Sequence, residues 1–251
     1  TRKYAFCPPK LHYPVNTFPF CRVNGRHVPY FHITSKKETI ALLIYSHGNA
    51  EDLTVSERLM RKFSAIHGVN VVGYDYVGYG SNPGIPTEEN CNQDLLAIFV
   101  MIVKQWKVKP QNIALCGHSI GCGPTLWLAN QIANNRLTEY GIPPVIGSVF
   151  SISGFTSCCA VVDYRLSYIP LTDMFNNVSM IRDLHIPVFI AHGVCDNIIN
   201  VSHARKLWEA LRDKTHSSLY IVENCGHNDI LFNPEFTAAF NSFADQYFFP
   251  T

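Results

Sequence analysis

Short apolar runs alternate with helix-prone stretches of ten or more residues along most of this chain, and this order constrains the fold more than any other feature. Strands are predicted at residues 27–34, 39–46, 69–75, 112–116, 145–152, 187–192 and 218–223, and helices at residues 54–66, 87–106, 121–135, 201–211 and 234–247. Strands alternating with helices build βαβ units, in which parallel strands share one sheet and helices cover both of its faces. The sequence therefore predicts an α/β fold with a mostly parallel central sheet.

The length of 251 residues suits one well-buried domain, and nothing in the composition requires a second. Residues 1–26 are rich in proline and aromatic side chains and show no sustained period, which predicts an extended lead-in before a single domain at residues 27–251. Residues 153–186 are the least patterned part of that domain. Because they follow an apolar strand and hold aromatic and aliphatic side chains, we expect them to form a short lid over the candidate nucleophile Ser119.

Composition excludes several classes of function. A net charge of +1 with only 16% charged residues leaves no basic stripe for nucleic acid. No uninterrupted apolar run approaches the roughly 18 residues that a transmembrane helix needs. The nine cysteines fall mostly inside apolar strands or helices, which fits reduced thiols in the cytoplasm. We therefore expect a cytoplasmic protein without a transmembrane segment; peripheral contact with membranes and the oligomeric state stay open.

A G-x-S-x-G run at residues 117–121 lies between a predicted strand and a predicted helix, with Ser119 at its centre. A sharp strand-to-helix turn needs residues without bulk on both sides, and two glycines supply them while the hydroxyl projects above the sheet. The alternative is that Ser119 is simply a small residue at a tight turn. The context favours a nucleophile.

Two residues that could activate this serine follow later strands. Ligand and catalytic groups gather at the carboxyl ends of parallel strands, and Asp196 and His227 each come just after such a strand. A serine hydroxyl needs an imidazole to take its proton, and a carboxylate that orients the imidazole. Taken singly, Asp196 could cap a helix and His227 could be a structural loop residue. Asp229 is a possible substitute acid, but it lies only two residues from His227.

The other parts of an acyl-transfer site are assigned as follows. We expect the backbone N–H groups of Asn49 and Ile120 to form the oxyanion hole, where the loss of one donor costs about 2.7–4 kcal/mol. Phe155 and Tyr168 in the lid are expected to contact substrate, and Tyr79 either lines the pocket or covers the core. The histidines and cysteines near strand ends lack C-x-x-C or H-x-x-x-H spacing, so neither a metal nor another cofactor is expected.

Four runs closely resemble the α/β-hydrolase-domain serine hydrolases that include the protein depalmitoylases. They are S-H-G-N-A-E-D-L at residues 46–53, Y-D-Y-V-G-Y-G at 74–80, G-H-S-I-G at 117–121 and G-H-N-D-I at 226–230. The resemblance extends from about residue 27 to residue 247. It implies the α/β-hydrolase fold, with nucleophile, acid and base at Ser119, Asp196 and His227.

The resemblance also implies a substrate class: an acyl ester, or an acylated protein whose palmitoyl thioester is cleaved through an acyl-enzyme. Two departures affect substrate and membrane recruitment more than mechanism. Depalmitoylases carry a cysteine-rich, lipid-modified amino terminus, whereas only Cys7 and Cys21 precede the domain here. In their nucleophile elbow, the G-x-S-x-G turn that carries the serine, the residue before the serine is often glutamine, where this chain has His118.

Three other functions use the same residues or the same fold. A small-ester carboxylesterase and an oligopeptidase-like serine peptidase would use the same triad, although no propeller or large cap domain marks a peptidase here. A catalytically silent binding module is the alternative from another class. An intact serine, acid, histidine and oxyanion loop argue against the silent module.

Overall fold

One eight-stranded sheet organises the chain, in a computed structural model that describes residues 5–23, 25–162 and 173–249. Its strands are β1 (Phe20–Val23), β2 (Arg26–Ile33), β3 (Leu42–Ser46), β4 (Asn70–Tyr74), β5 (Ile113–His118), β6 (Ser148–Ile152), β7 (Val188–Gly193) and β8 (Ser218–Val222). The helices are α1 (Leu53–His67), α2 (Glu88–Lys104), α3 (Cys122–Ala133), α4 (Cys158–Val162), α5 (Asn177–Arg182), α6 (Ser202–Ala210) and α7 (Pro234–Tyr247).

The strands lie in the order β1-β2-β4-β3-β5-β6-β7-β8. From β4 to β8 every neighbouring pair is parallel, whereas β2 pairs antiparallel with both β1 and β4. The predicted mostly parallel sheet is confirmed. Because the register pairs Ser46 of β3 with Gly117 of β5, the loops that follow these two central strands lie side by side.

The central strands are apolar because both faces of the sheet are covered. β3, β5, β6 and β7 are buried at every residue. Alternate side chains of β3 enter different clusters, with Ile44 packing in the cluster that contains Leu126 of α3, and Leu43 in the cluster that contains Phe63 of α1 and Phe240 of α7. Each fully buried side chain of this size contributes about 1.5–3 kcal/mol.

The start of α1 fixes the end of the loop that follows β3. Asp52 is the N-cap of α1, and its side chain accepts hydrogen bonds from the backbone N–H groups of Thr54 and Val55. At the other end, Gly68 takes a left-handed conformation with φ 70°, which closes the helix. Residues 47–51 are thereby held between a buried strand and a capped helix.

Two parts of the chain differ from the sequence prediction. The predicted lead-in was too long, because residues 20–23 form β1, whose four residues are too few to show a period and which is stabilised by pairing with β2. The segment predicted to be irregular contains the short helices α4 and α5. Residues 163–172 of the predicted lid lie outside the described residues, so the lid stays a prediction.

Candidate active site

The serine of the predicted elbow lies between β5 and α3 in a strained conformation. Ser119 has φ +56°, a value that side-chain-bearing residues rarely adopt. Its flanking glycines have no room for a side chain, since a Cβ on Gly117 would lie 2.5 Å from the Gly121 carbonyl oxygen, and one on Gly121 would lie 2.1 Å from the Ser46 carbonyl oxygen. These close contacts explain why the turn needs glycine on both sides of the serine.

Asp196 and His227 come together beyond the ends of β7 and β8. Nδ1 of His227 lies 2.6 Å from Oδ2 of Asp196, a short contact for a charge-assisted hydrogen bond. A carboxylate only accepts, so Nδ1 carries the proton and Nε2 of the neutral ring is free to act as a base. This is the relation that a catalytic acid and base require.

The Asp196 carboxylate is built into its loop by four contacts. Its Oδ1 accepts hydrogen bonds from the N–H groups of Ile198 at 2.9 Å and Ile199 at 2.8 Å, and Nε2 of His192 lies 3.1 Å from Oδ2. Burial acts to raise the pKa of Asp196, but the hydrogen bonds from His192, His227 and Ile199 hold that pKa well below its ordinary value. The acid is therefore ionised at neutral pH. Sequence reasoning gave His192 no role, although its position four residues before the acid is a readable signal.

Ser119 and His227 line the same cavity, which has a volume of about 420 Å³. Its apolar wall is formed by Val55, Leu59, Ile198, Leu231 and Phe232. Within the described ranges no hydrogen bond joins the Ser119 hydroxyl to the His227 ring. Catalytic hydrogen bonds are often long in the free enzyme and tighten when substrate binds.

The predicted oxyanion loop borders this cavity. Gly48, Asn49 and Ala50 all line it, and the backbone N–H of Asn49 has no acceptor among the described residues. Ile120 follows Ser119 in the short turn Ser119–Gly121. The assignment of Asn49 and Ile120 as oxyanion donors stays a prediction, as do the catalytic roles of Ser119, Asp196 and His227.

Two residues expected to contact substrate, Tyr79 and Phe155, do not line this cavity. Tyr79 is fully buried, and its hydroxyl donates to Oδ1 of Asn49 at 2.6 Å instead of lining the cavity. Phe155 is 2% exposed and packs edge to face on Phe175, with ring centroids 6.3 Å apart, because an apolar ring after a core strand is drawn into the core. Tyr168 lies outside the described residues. The apolar wall comes instead from α1, Ile198 and residues 231–232, which the sequence does not distinguish from ordinary core positions.

A pair formed by the half-buried Glu51 and the buried His118, not predicted from the sequence, forms a polar side of the cavity. Nε2 of His118 donates to the His227 carbonyl oxygen at 3.0 Å, and Nδ1 lies 3.8 Å from Oε1 of Glu51. Burial disfavours the charged form of His118, but Glu51 and the His227 carbonyl raise its pKa above the ordinary value. By contrast, the substitute acid Asp229 accepts a hydrogen bond from the Gly226 N–H at 3.2 Å, within its own loop.

Within residues 5–23, 25–162 and 173–249, no group of three or more His, Cys, Asp or Glu side chains is arranged to hold a metal ion. No helix in the same ranges combines the length and apolar character needed to cross a bilayer.

Comparison with known proteins places this geometry in a family. Residues 37–136 match the family described as "Serine aminopeptidase, S33". A putative alpha/beta hydrolase, L404, of Acanthamoeba polyphaga mimivirus is 33% identical over 211 residues, which cover 83% of this chain and 75% of the viral protein. The human alpha/beta hydrolase domain-containing protein 17B is 31% identical over 204 residues, covering 81% of this chain and 66% of that protein.

Solved structures share the fold at low sequence identity. The esterase Pf2001 of Pyrococcus furiosus superposes with a TM-score of 0.70 at 15% identity, covering 96% of this chain and all of the esterase. Est1E of Butyrivibrio proteoclasticus, solved with ferulic acid bound, gives a TM-score of 0.66 at 16% identity and covers 91% of this chain and 98% of Est1E. The shared fold confirms the predicted architecture.

Proposed function

The chain belongs to the α/β-hydrolase family and is a serine hydrolase, and on that premise we propose that it cleaves long-chain acyl thioesters, including palmitoyl groups on protein cysteines. The observation that carries the proposal is a buried Asp196–His227 pair beside a strained Ser119 in one apolar-walled cavity. The 31% identity to the human alpha/beta hydrolase domain-containing protein 17B supports the same branch of the family.

In the first half of the proposed reaction, Oγ of Ser119 attacks the carbonyl carbon of the thioester while Nε2 of His227 takes the hydroxyl proton. The ionised Asp196 stabilises the imidazolium that forms. The negative charge that develops on the carbonyl oxygen is stabilised by the N–H groups of Asn49 and Ile120. When the C–S bond breaks, His227 gives its proton to the departing thiolate, and the acyl group stays on Ser119.

In the second half, a water molecule replaces the thiol. His227 takes a proton from the water as the water attacks the acyl-enzyme, and the same oxyanion donors stabilise the second tetrahedral intermediate. Collapse of this intermediate returns the proton to Ser119 and releases a fatty acid. Apart from the substrate and this water molecule, each step of the proposed cycle is assigned to a side chain or backbone group of this chain.

The cavity walls support an apolar acyl group. Five aliphatic or aromatic side chains face the cavity that holds Ser119, whereas the Glu51 and His118 side chains lie on one side of it and His227 lies beside the serine in the lining. Each methylene transferred from water to such a wall contributes about 0.8 kcal/mol, or roughly a fourfold gain in kcat/KM per carbon while the wall continues.

Labelling with a fluorophosphonate tests the nucleophile. Wild type should form a covalent adduct, and Ser119→Ala should form none because it lacks the attacking oxygen. Ser157→Ala, which removes a buried serine outside the cavity lining, is the matched control and should be labelled as fast as wild type. Equal labelling of Ser119→Ala and wild type, or an adduct mapped to another serine, would refute the assignment.

The acyl preference is tested by kcat/KM across acetyl to palmitoyl thioesters of one leaving group, with detergent to keep the long chains soluble. We expect a rise toward long chains. A maximum at acetyl or butyryl with palmitoyl untouched would instead identify a small-ester carboxylesterase. Aminoacyl p-nitroanilides should be poor substrates, and preferential cleavage of these amides would identify a peptidase.

A further inference from the structure

The loop that carries the oxyanion donor is bonded to the amino-terminal segment, defined here as residues 5–19. We propose that Tyr79 and the backbone of residues 5–7 are positioning groups, which act through the Asn49 side chain to hold the Asn49 N–H in place for catalysis. This inference rests on the proposed function, because it takes Asn49 to be an oxyanion donor.

Three hydrogen bonds hold the Asn49 side chain. Its Oδ1 accepts from the backbone N–H of Cys7 at 2.8 Å and from the Tyr79 hydroxyl at 2.6 Å, and its Nδ2 donates to the Ala5 carbonyl oxygen at 2.8 Å. The Cys7 N–H also lies 3.2 Å from the Tyr79 hydroxyl oxygen. The Asn49 amide thus forms two hydrogen bonds with the backbone of the segment, accepting one through its oxygen and donating one through its nitrogen.

The chemistry of the partners fixes the orientation of the amide. A backbone N–H only donates and a backbone carbonyl only accepts, so the amide oxygen must face Cys7 and the amide nitrogen must face Ala5. Tyr79 completes the set as a donor. Burial raises the pKa of Tyr79, so its hydroxyl remains protonated and keeps donating at neutral pH.

The amino-terminal segment is itself anchored to the body of the domain. Phe6 is 7% exposed and packs edge to face on Phe175 at 6.2 Å, and the Phe175 ring in turn lies against Gly123 of α3, the helix that follows Ser119. Further along the segment, the Tyr13 hydroxyl donates to Oδ2 of Asp75 at 3.0 Å. Residues 5–7 are therefore held at a fixed distance from the elbow.

The loop adds one backbone hydrogen bond of its own to this support, from the Glu51 N–H to the Gly48 carbonyl oxygen at 3.4 Å. Within residues 48–50, Gly48 has no side chain, Asn49 is half-buried and Ala50 is exposed. An oxyanion donor must lie about 2.7–3.1 Å from the developing charge, and a displacement of about 1 Å can cost two orders of magnitude in rate. Among the described residues, the bonds to Ala5, Cys7 and Tyr79 are the only hydrogen bonds of the Asn49 side chain.

Tyr79→Phe removes one of the three bonds and keeps the buried ring. We expect kcat on an acyl thioester to fall about 10-fold while KM changes by less than twofold. The oxyanion donor contacts charge that develops in the transition state, so its displacement weakens transition-state binding and leaves substrate binding nearly unchanged. Tyr45→Phe is the matched control: Tyr45 is also fully buried, but its hydroxyl has no hydrogen-bond partner in the described ranges. This control should keep the wild-type kcat.

A second pair of variants tests the backbone of the segment. Cys7→Pro removes the N–H that binds Asn49, and Cys7→Ala keeps this N–H while losing the same thiol. Relative to Cys7→Ala, Cys7→Pro should lower kcat about 10-fold. The affinity of a trifluoromethyl ketone, which adds reversibly to Ser119 and places an oxyanion in the hole, should fall by the same factor, a result that loss of stability alone would not give.

The outcomes separate the two proposals. If wild type neither hydrolyses thioesters nor reacts with a fluorophosphonate, the proposed function is wrong. If wild type is active but Tyr79→Phe matches Tyr45→Phe and Cys7→Pro matches Cys7→Ala in kcat and in ketone affinity, the inference about positioning is wrong. A change in KM alone, with kcat unchanged, also contradicts it.

Discussion

Replacing Asp196 by asparagine tests the chemistry of the site while preserving its shape. The asparagine oxygen can keep the two bonds from the Ile198 and Ile199 N–H groups, which then turns the amide NH₂ toward His227. An amide N–H donates, so Nδ1 of His227 would have to accept, and the ring proton would move to Nε2. In that tautomer, Nε2 cannot take the proton of Ser119.

The size of the effect follows from these contacts. Locking the base in the wrong tautomer and removing the charge that stabilises its imidazolium should lower kcat by about 10³–10⁴-fold, or about 4–5.5 kcal/mol in the activation free energy. The fold should lose less. Weakening the charge-assisted bond at 2.6 Å costs about 2 kcal/mol of unfolding free energy, which lowers Tm by about 4–8 °C.

The stability change also has a predicted pH dependence. Because the folded state lowers the pKa of Asp196, wild type gains stability from this group above the ordinary pKa of 3.8 and loses that gain as the pH falls below it. The Tm difference between wild type and Asp196→Asn should therefore be present at pH 7 and shrink in acid.

The assay is thioester hydrolysis at 25 °C with both proteins folded, beside thermal melts at several pH values. Asp229→Asn is the control, since the Asp229 side chain accepts a hydrogen bond from the Gly226 N–H of its own loop, and it should stay within about threefold of wild type. Near-normal turnover by Asp196→Asn together with a large loss in Asp229→Asn would show that the acid has been assigned to the wrong residue.

Three further predictions follow from buried groups. Gly121→Ala should be inactive and destabilised by about 3 kcal/mol or more, because its Cβ would lie 2.1 Å from the Ser46 carbonyl oxygen. The control Gly141→Ala, where the nearest atom is 3.5 Å away, should cost only about 1–2 kcal/mol for its positive φ. Equal melting temperatures for the two variants would contradict this prediction. Burial raises the pKa of Asp94 to about 7 despite its hydrogen bond from Arg26. Wild type should therefore lose stability relative to Asp94→Asn as the pH rises from 4 to 7. Denaturant titrations in which the difference in unfolding free energy between the two proteins stays constant with pH would refute this prediction. Leu59→Trp should fill part of the cavity and lower kcat/KM for palmitoyl more than for acetyl thioesters, whereas an equal loss for both would indicate that Leu59 does not contact the acyl chain.

Sequence alone predicted the sheet and the loop positions well because both depend on local signals. Buried parallel strands are continuous apolar runs, and polar residues directly after them fall at one edge of the sheet. The register that pairs Ser46 with Gly117 then brings the loops at residues 47–51 and 119–121 together, as the sequence order implied. Asp196 and His227 lie close together because they follow the neighbouring parallel strands β7 and β8.

The failures concern contacts between parts of the chain that are distant in sequence. The sequence leaves Tyr79 open between lining the pocket and covering the core, because its hydrogen-bond partner Cys7 is 72 residues away. Glu51 gives no signal until β5 places His118 beside it. Four-residue β1 was missed because its stability comes from β2, and no period can show in so short a run.

The position of β8 at the end of the sheet has a consequence for how activity is lost. β8 pairs only with β7 in the described sheet, and four of its five residues are half-buried, whereas β3 and β5 are central and fully buried. Free energies of local opening are lowest where few apolar contacts protect the backbone. His227 follows this half-buried edge strand, while Ser119 follows a central strand that is buried at every residue. Amide hydrogen exchange should therefore be faster in β8 than in β5, and heating should inactivate the protein below the temperature at which the central sheet unfolds.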